Sequence, residues 1–262
     1  MNDVVWGYPA LLMLTGGGVL GALFGSFSNV LIHRLPRNLS VVRPRSACPS
    51  CAATIAWYDN VPVLSWLMLR GRCRRCDAGI SPRYPLVELA GAGCALVALL
   101  RFGFNLDGLA GAVFLLLLLD IAIIDWEHMI IPHTLSITGM VLGLVLAFLG
   151  AGPGAGPAIL GLVIGSGVVL AISQGWRLVR GVAGMGFGDV MLMGMVGAFL
   201  GPWGVPTVLC GGALLGTVWA LVAGRGRVDG NAKLPFGTFL ALAAAIVLLA
   251  GERMAVWYLG RF

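Results

Sequence analysis

Long stretches of this chain contain no Asp, Glu, Lys or Arg, and their lengths predict membrane-crossing helices. Val4 to His33 is the first. It exceeds the roughly 20 residues a helix needs to cross a hydrocarbon core of about 30 Å. Leu86 to Leu100 and Gly108 to Ile124, apolar apart from Glu88 and Asp120, predict a second and a third span around a short polar break. Met129 to Trp176 is too long for one crossing and is interrupted by the glycine- and proline-rich run 150–157, which predicts spans four and five. Val190 to Gly224 breaks in the same way at 201–206 into spans six and seven, and Leu234 to Gly251 is the eighth. The runs are continuously apolar rather than alternating. Helices, not a closed barrel, must therefore satisfy the backbone. The expected fold is an all-α polytopic membrane protein of about eight transmembrane helices, with a small loop domain between the first two.

Composition agrees with that pattern. Of 262 residues, 59% are hydrophobic and 11% charged, and the mean hydropathy is +0.95; a water-facing globular surface is excluded. The 40 glycines suit helices that approach closely through small residues. Asp3 rather than lysines precedes the first apolar run, so that run is expected to remain in the mature protein rather than act as a cleaved signal. The net charge of +6 is distributed unevenly. With eight spans, the arginines from Arg34 to Arg83 share a side with Arg177, Arg180, Arg225, Arg227 and Lys233, while Arg101, Arg253 and Arg261 face the other. The positive-inside rule makes the richer side cytoplasmic and puts both termini in the periplasm. The basic charge thus describes a membrane inner face, with the lipid bilayer as partner and no nucleic acid.

The one long hydrophilic segment, Pro36 to Pro85, holds Cys48-Pro49-Ser50-Cys51 and Cys73-Arg74-Arg75-Cys76. Two CxxC knuckles in one loop have the ligand pattern of a four-thiolate zinc ribbon. A pair of disulfides is the alternative; a reducing cytoplasm favours zinc. The neighbouring Arg72, Arg74 and Arg75 favour thiolates. Four protein ligands leave no open position on a tetrahedral zinc, so such a site is structural. Cys94 and Cys210 lie in apolar spans and read as packed small hydrophobes.

Carboxylates in or beside spans are candidates for function because they are costly there. Asp125 closes span three and Asp189 opens span six after Gly184-Met185-Gly186-Phe187-Gly188; the topology puts both at the cytoplasmic boundary, where they can meet. Two carboxylates in a partly dry site share a proton and so supply an acid and a base together. One activates water; the other polarises a scissile carbonyl and protonates the leaving amine. The glycines before Asp189 let backbone approach an extended peptide. Asp120 lies about 140° around the helix from Asp125 and reads as a hydrogen-bonded packing group. Glu127 and His128 read as interfacial or supporting groups, and Glu88 as a carboxylate favoured by the start of its helix. The glycine run lacks the Gly-Lys-Ser/Thr and the preceding strand of a phosphate loop.

Taken together, these residues resemble the bacterial type IV prepilin leader peptidases, membrane aspartic proteases that are often also N-methyltransferases. The resemblance rests on the stretch Gly25 to Pro36, the two CxxC pairs, Asn60 to Trp66, Tyr84 to Leu89, Ile124-Asp125 and the Gly184 to Asp189 run. It implies that Asp125 and Asp189 are the catalytic pair. They would cleave the leader from type IV prepilins or type II secretion pseudopilins at the cytoplasmic face of the inner membrane, with methyl transfer from S-adenosylmethionine to the new N-terminal residue. Ile131-Pro132-His133 departs from the family, which commonly has an aspartate after the proline. The implied organisation is a first transmembrane helix (1–35), a cytoplasmic four-cysteine zinc-binding loop domain (36–85) and a membrane helical peptidase domain (86–262). A proton-coupled transporter using the same aspartates, and a zinc-loop scaffold without catalysis, are the rival readings.

Overall fold

The structure, a computed structural model, describes residues 4–5, 8–181, 185–223 and 234–259. Gly184, Arg225, Arg227, Lys233 and Arg261 lie outside the described residues, as does the side chain of Arg253. Helices dominate. After a two-residue antiparallel pairing of β1 (Val4–Val5) with β2 (Tyr8–Pro9) come α1 (Ala10–Arg34), the short α2 (Leu64–Met68), α3 (Arg83–Phe102), α4 (Leu106–His128), α5 (His133–Phe148), α6 (Ala155–Arg180), α7 (Phe187–Ala223) and α8 (Phe236–Leu259). Five of these are long and apolar enough to cross a membrane, and α5 and the start of α8 are shorter apolar helices. The chain is a multi-pass membrane protein, and the apolar runs correspond to its helices. It divides into two compact units, Met1–Ala112 and Val113–Phe262.

In the first unit α1 and α3 run antiparallel through glycines at four-residue spacing. A Cβ on Gly21 would lie 2.6 Å from the carbonyl oxygen of Gly91, and one on Gly25 would lie 2.8 Å from Glu88 Cα. Lipid offers apolar side chains no less than a helix partner does, so close backbone approach, rather than escape from water, holds this pair together. The segment between the two helices folds back at once: the Arg34 guanidinium donates to the carbonyls of Ser40 and Pro44. Its core is Trp66, whose indole N–H donates to Ile80 O at 3.0 Å and whose ring covers Gly71, a residue with φ +68°.

In the second unit the first arm of α7 is the centre: Leu192, Met193, Met195 and Val196 are fully buried, and Phe199 stacks on Phe114 of α4 with centroids 4.4 Å apart. The arm ends at Gly201, whose φ of 71° and ψ of −176° are not helical. Gly165 of α6 faces both Met193 and Val205, which a straight helix would separate by roughly 18 Å. The two arms of α7 therefore fold side by side, giving the sixth and seventh spans that the Gly201-Pro202 break predicts.

Candidate active site and cysteine cluster

Asp125 is the last buried residue of α4. It is 4% exposed, whereas residues 126–130 are exposed. Its Oδ2 accepts the backbone N–H of Thr238 at 2.7 Å and lies 3.2 Å from the Thr238 hydroxyl, which also reaches Ala122 O at 3.0 Å. Thr238 is in the first turn of α8, where N–H groups have no helical partner and favour a negative charge. Asp189, 9% exposed, is in the first turn of α7. Its Oδ2 reaches back to the Gly186 N–H at 3.0 Å, while its own N–H donates to Gly186 O at 3.1 Å. That reciprocal pair is the acid half of a capping box. The run before it is tied to α6 by the Ser173 hydroxyl, which donates to Met185 O at 2.9 Å.

Each aspartate thus sits on the N-terminus of a different helix, and one side chain links the two seats. A Cβ on Gly188 would lie 2.8 Å from Ile131 Cβ, and one on Gly237 would lie 2.6 Å from Ile131 Cδ1 and 3.0 Å from Asp125 Oδ2. Ile131, in the turn between α4 and α5, therefore touches the residue before Asp189 and the residue before Thr238. Only glycine leaves room for it in both places. His133 joins the rim, its ring edge-on to Phe187 with centroids 5.5 Å apart. Trp126, Trp219 and Phe239 form a second aromatic contact chain from α4 through α7 to α8.

The other carboxylates take different places. Asp120 is buried higher in α4. Glu127 and His128 stand on the exposed end of the helix with 4.0 Å between Oε2 and Nε2. Glu88 corrects the reading from the helix dipole. It lies beyond the first turn of α3, and its Oε2 accepts the Val63 N–H at 2.6 Å, so it fastens the cysteine segment to α3. Val63 has φ 62°, an unfavourable conformation for a β-branched residue. Thr238, Gly237 and Ile131 did not stand out in the sequence because none is ionisable. The available signal was the Pro235-Phe236-Gly237-Thr238 helix start ahead of the last apolar run.

The four thiols Cys48, Cys51, Cys73 and Cys76 converge, with all four Sγ atoms within 4.8 Å of one another and Cys48 and Cys76 Sγ 3.8 Å apart. That separation is the edge of a tetrahedron with bonds of about 2.3 Å, the zinc–thiolate length, and it is far longer than a disulfide of about 2.05 Å. The donor set fits zinc. The same turn is built twice: Cys48 N–H bonds Ala53 O and Cys73 N–H bonds Ala78 O, both at 2.9 Å. The left-handed residues Ala52 (φ 54°) and Asp77 (φ 56°) occupy equivalent places. Backbone N–H groups of Cys51 and Ser50 bring Cys48 down to about 6. Cys76 is pushed up to about 12: the Ala78 N–H lowers it, but thiol hydrogen bonds from Cys51, Cys73 and Cys48, together with burial, outweigh that. Arg74 is drawn off the cluster, since its guanidinium grips Asp59 with contacts of 2.7 to 3.1 Å and holds that carboxyl below its usual range. Cys94 is half-buried and Cys210 exposed. Both lie outside the cluster, and Cys210 is on the surface of its helix rather than packed.

Residues 19–102 match the Bacterial Peptidase A24 N-terminal domain, and residues 112–221 match the Type IV leader peptidase family. The chain belongs to the type IV leader peptidase family. Its relatives include the prepilin leader peptidase/N-methyltransferase of Stutzerimonas stutzeri, 36% identical over 92% of each chain. That of Myxococcus xanthus is 41% identical over 84% of this chain and 67% of the relative. The Pseudomonas aeruginosa protein of the same name is 34% identical over 92% of this chain and 91% of its own. No solved structure matches the chain. Within the family fold both aspartates stand at helix ends, not at mid-span where transporters of the inverted-repeat type place their coupling sites.

Proposed function

We propose that this protein is a prepilin peptidase of the bacterial inner membrane. In this reading it is an intramembrane aspartyl endopeptidase that removes the leader of type IV prepilins or type II secretion pseudopilins at the cytoplasmic face. The cysteine loop is cytoplasmic and both termini are periplasmic. The observation that supports it best is the seating of Asp125 and Asp189 on two helix N-termini joined through Ile131. The two seats are unequal, and their difference supports one division of roles. Asp125 Oδ2 faces an N–H and a hydroxyl at the start of α8, so it holds the negative charge and takes a proton from the attacking water. Asp189, with one N–H donor, carries the shared proton, polarises the scissile carbonyl and then protonates the leaving amine. An extended peptide reaches the pair over Gly186, which is exposed beside the buried Asp189.

The same reading gives the protein a second activity, methylation of the freed α-amine, for which S-adenosylmethionine supplies the methyl group. Cys48, Cys51, Cys73 and Cys76 would hold a structural zinc that folds the loop 36–85 and takes no part in either reaction. The test is an assay of purified protein with a prepilin and labelled methyl donor, run on wild type, Asp125→Asn and Asp189→Asn. Cleavage is expected to fall by three orders of magnitude or more in both variants, to about the level of other acid–base groups that act as a unit. Methylation of an already cleaved pilin should persist. Full cleavage by either folded variant would remove that aspartate from the mechanism.

A further inference from the structure

Helix α2 turns three apolar side chains outward: Leu64, Leu67 and Met68 are 59, 57 and 81% exposed, and their i, i+3, i+4 spacing puts them on one face. The depth of that face follows from the contacts of its first residues. Val63, just before α2, donates its N–H to Glu88, and Glu88 Cα packs against Gly25 of α1. Arg34, where the charge-free run of α1 ends, is nine residues further on, or roughly 13 Å of helix. The Glu88 side chain leans back toward the start of α3, as helical side chains do, and with its bond to Val63 recovers roughly 5 to 7 Å. The start of α2 is therefore roughly 6 to 8 Å deeper than Arg34, near the level of Arg83 at the start of α3. Amphipathic helices lying in a membrane interface bury their apolar faces to that depth, about 5–10 Å.

The polar groups at this level are satisfied without water, as that depth requires. Glu88 takes the Val63 N–H, Ser65 Oγ takes the Val61 N–H at 3.0 Å, and the Ser65 hydroxyl donates to Tyr58 O at 3.0 Å. Arg70 and Arg72, both exposed, follow α2 directly, a charge that complements anionic headgroups. On α3, Leu86 and Leu89 are likewise exposed and apolar near the level of Glu88. We propose that α2 is an interfacial anchor. Its Leu64, Leu67 and Met68 face dips into the acyl boundary of an anionic bilayer, Arg70 and Arg72 lie at the headgroups, and the cysteine subdomain is thereby held against the membrane surface. The proposal is independent of which residues cut the substrate.

The test uses the full-length protein in nanodiscs of phosphatidylethanolamine and phosphatidylglycerol, with a photoreactive diazirine amino acid placed at position 64, 67 or 68, or at the exposed loop position 45, outside both cysteine turns, as control. Adducts are identified by mass spectrometry, and cleavage activity of each variant confirms that it folds. Lipid adducts at 67 and 68 at least five times more abundant than at 45 are expected. Replacing phosphatidylglycerol with phosphatidylcholine should lower their yield. Yields equal to the control would overturn the proposal. So would cross-links that go to an added prepilin in place of lipid, an outcome that would make this face a peptide-docking surface.

Discussion

The cysteine cluster and the aspartate pair are both sets of acidic groups gathered from distant positions, yet they are assembled in opposite ways. The cysteines stand on two copies of one local turn with matching hydrogen bonds and matching left-handed residues. Cys48 is buried, but Cys51 and Cys76 are exposed. Little else in that segment forms a core beyond Trp66, so in the proposed zinc site the ligands would do the folding. The aspartates are buried, unequal, and held by elements that exist without them: the glycine-packed α6 and α7 and the start of α8. There the fold positions the proposed chemistry. Changes at the first site should therefore damage structure, and changes at the second should damage rate alone.

The widest separation is expected for Asp125→Asn and Asp189→Asn. Each should lose cleavage by three or more orders of magnitude while the melting temperature in detergent stays within about 2 °C. A matching fall in stability would mean that the carboxylates are structural caps. Zinc removal is next. Chelation, or Cys51→Ser, should expose residues 36–85 to limited proteolysis while segments of the second unit remain protected, because structural zinc contributes about 10 kcal/mol or more to folding of small ribbons. Equal protease patterns with and without metal would show that the loop folds unaided.

Acid should act on the cluster in a defined direction. Cys48 ionises near 6 whereas Cys76 keeps its proton until about 12, so an incoming metal must expel protons, and affinity falls as pH falls. Release should be steepest below about 6, where Cys48 also takes up a proton; a chromogenic zinc indicator reads this directly, and release that is flat between pH 7 and 5 would contradict thiolate ligation. The smallest effect belongs to Thr238→Val. It removes a hydroxyl next to Asp125 but keeps the backbone N–H, so kcat should drop roughly 10- to 100-fold, in line with about 1.5–3 kcal/mol for a hydrogen bond to a charged group. KM should be unchanged, and Thr238→Ser should restore the rate. A change confined to KM would move Thr238 from positioning the aspartate to binding the peptide.

The contrast also explains what was legible beforehand. Cys48, Cys51, Cys73 and Cys76 declare themselves because ligand type and spacing are local properties, and the spans do so because lipid demands unbroken apolar runs. The fold at Gly201 was signalled by its glycine and prolines. Asp125 and Asp189 were visible as costly charges, but their seats were not. The Thr238 N–H is a backbone group, Ile131 is one aliphatic residue among many, and the partner of Glu88 is the main chain of Val63. Contacts made by backbone or by ordinary apolar side chains leave no mark in composition or period, and tertiary packing alone decides them.

The elbow at Gly201 bears on how water reaches a protease buried in a bilayer. The arm Phe187–Leu200 rises only about 21 Å, and the neighbouring α5, with 16 residues, about 24 Å, against a hydrocarbon thickness of about 30 Å. Short segments of this kind draw the leaflets together around them. Asp189, in the first turn of the shorter arm, then lies where such thinning would be greatest, so the cleavage proposed above would meet water at a lowered bilayer surface.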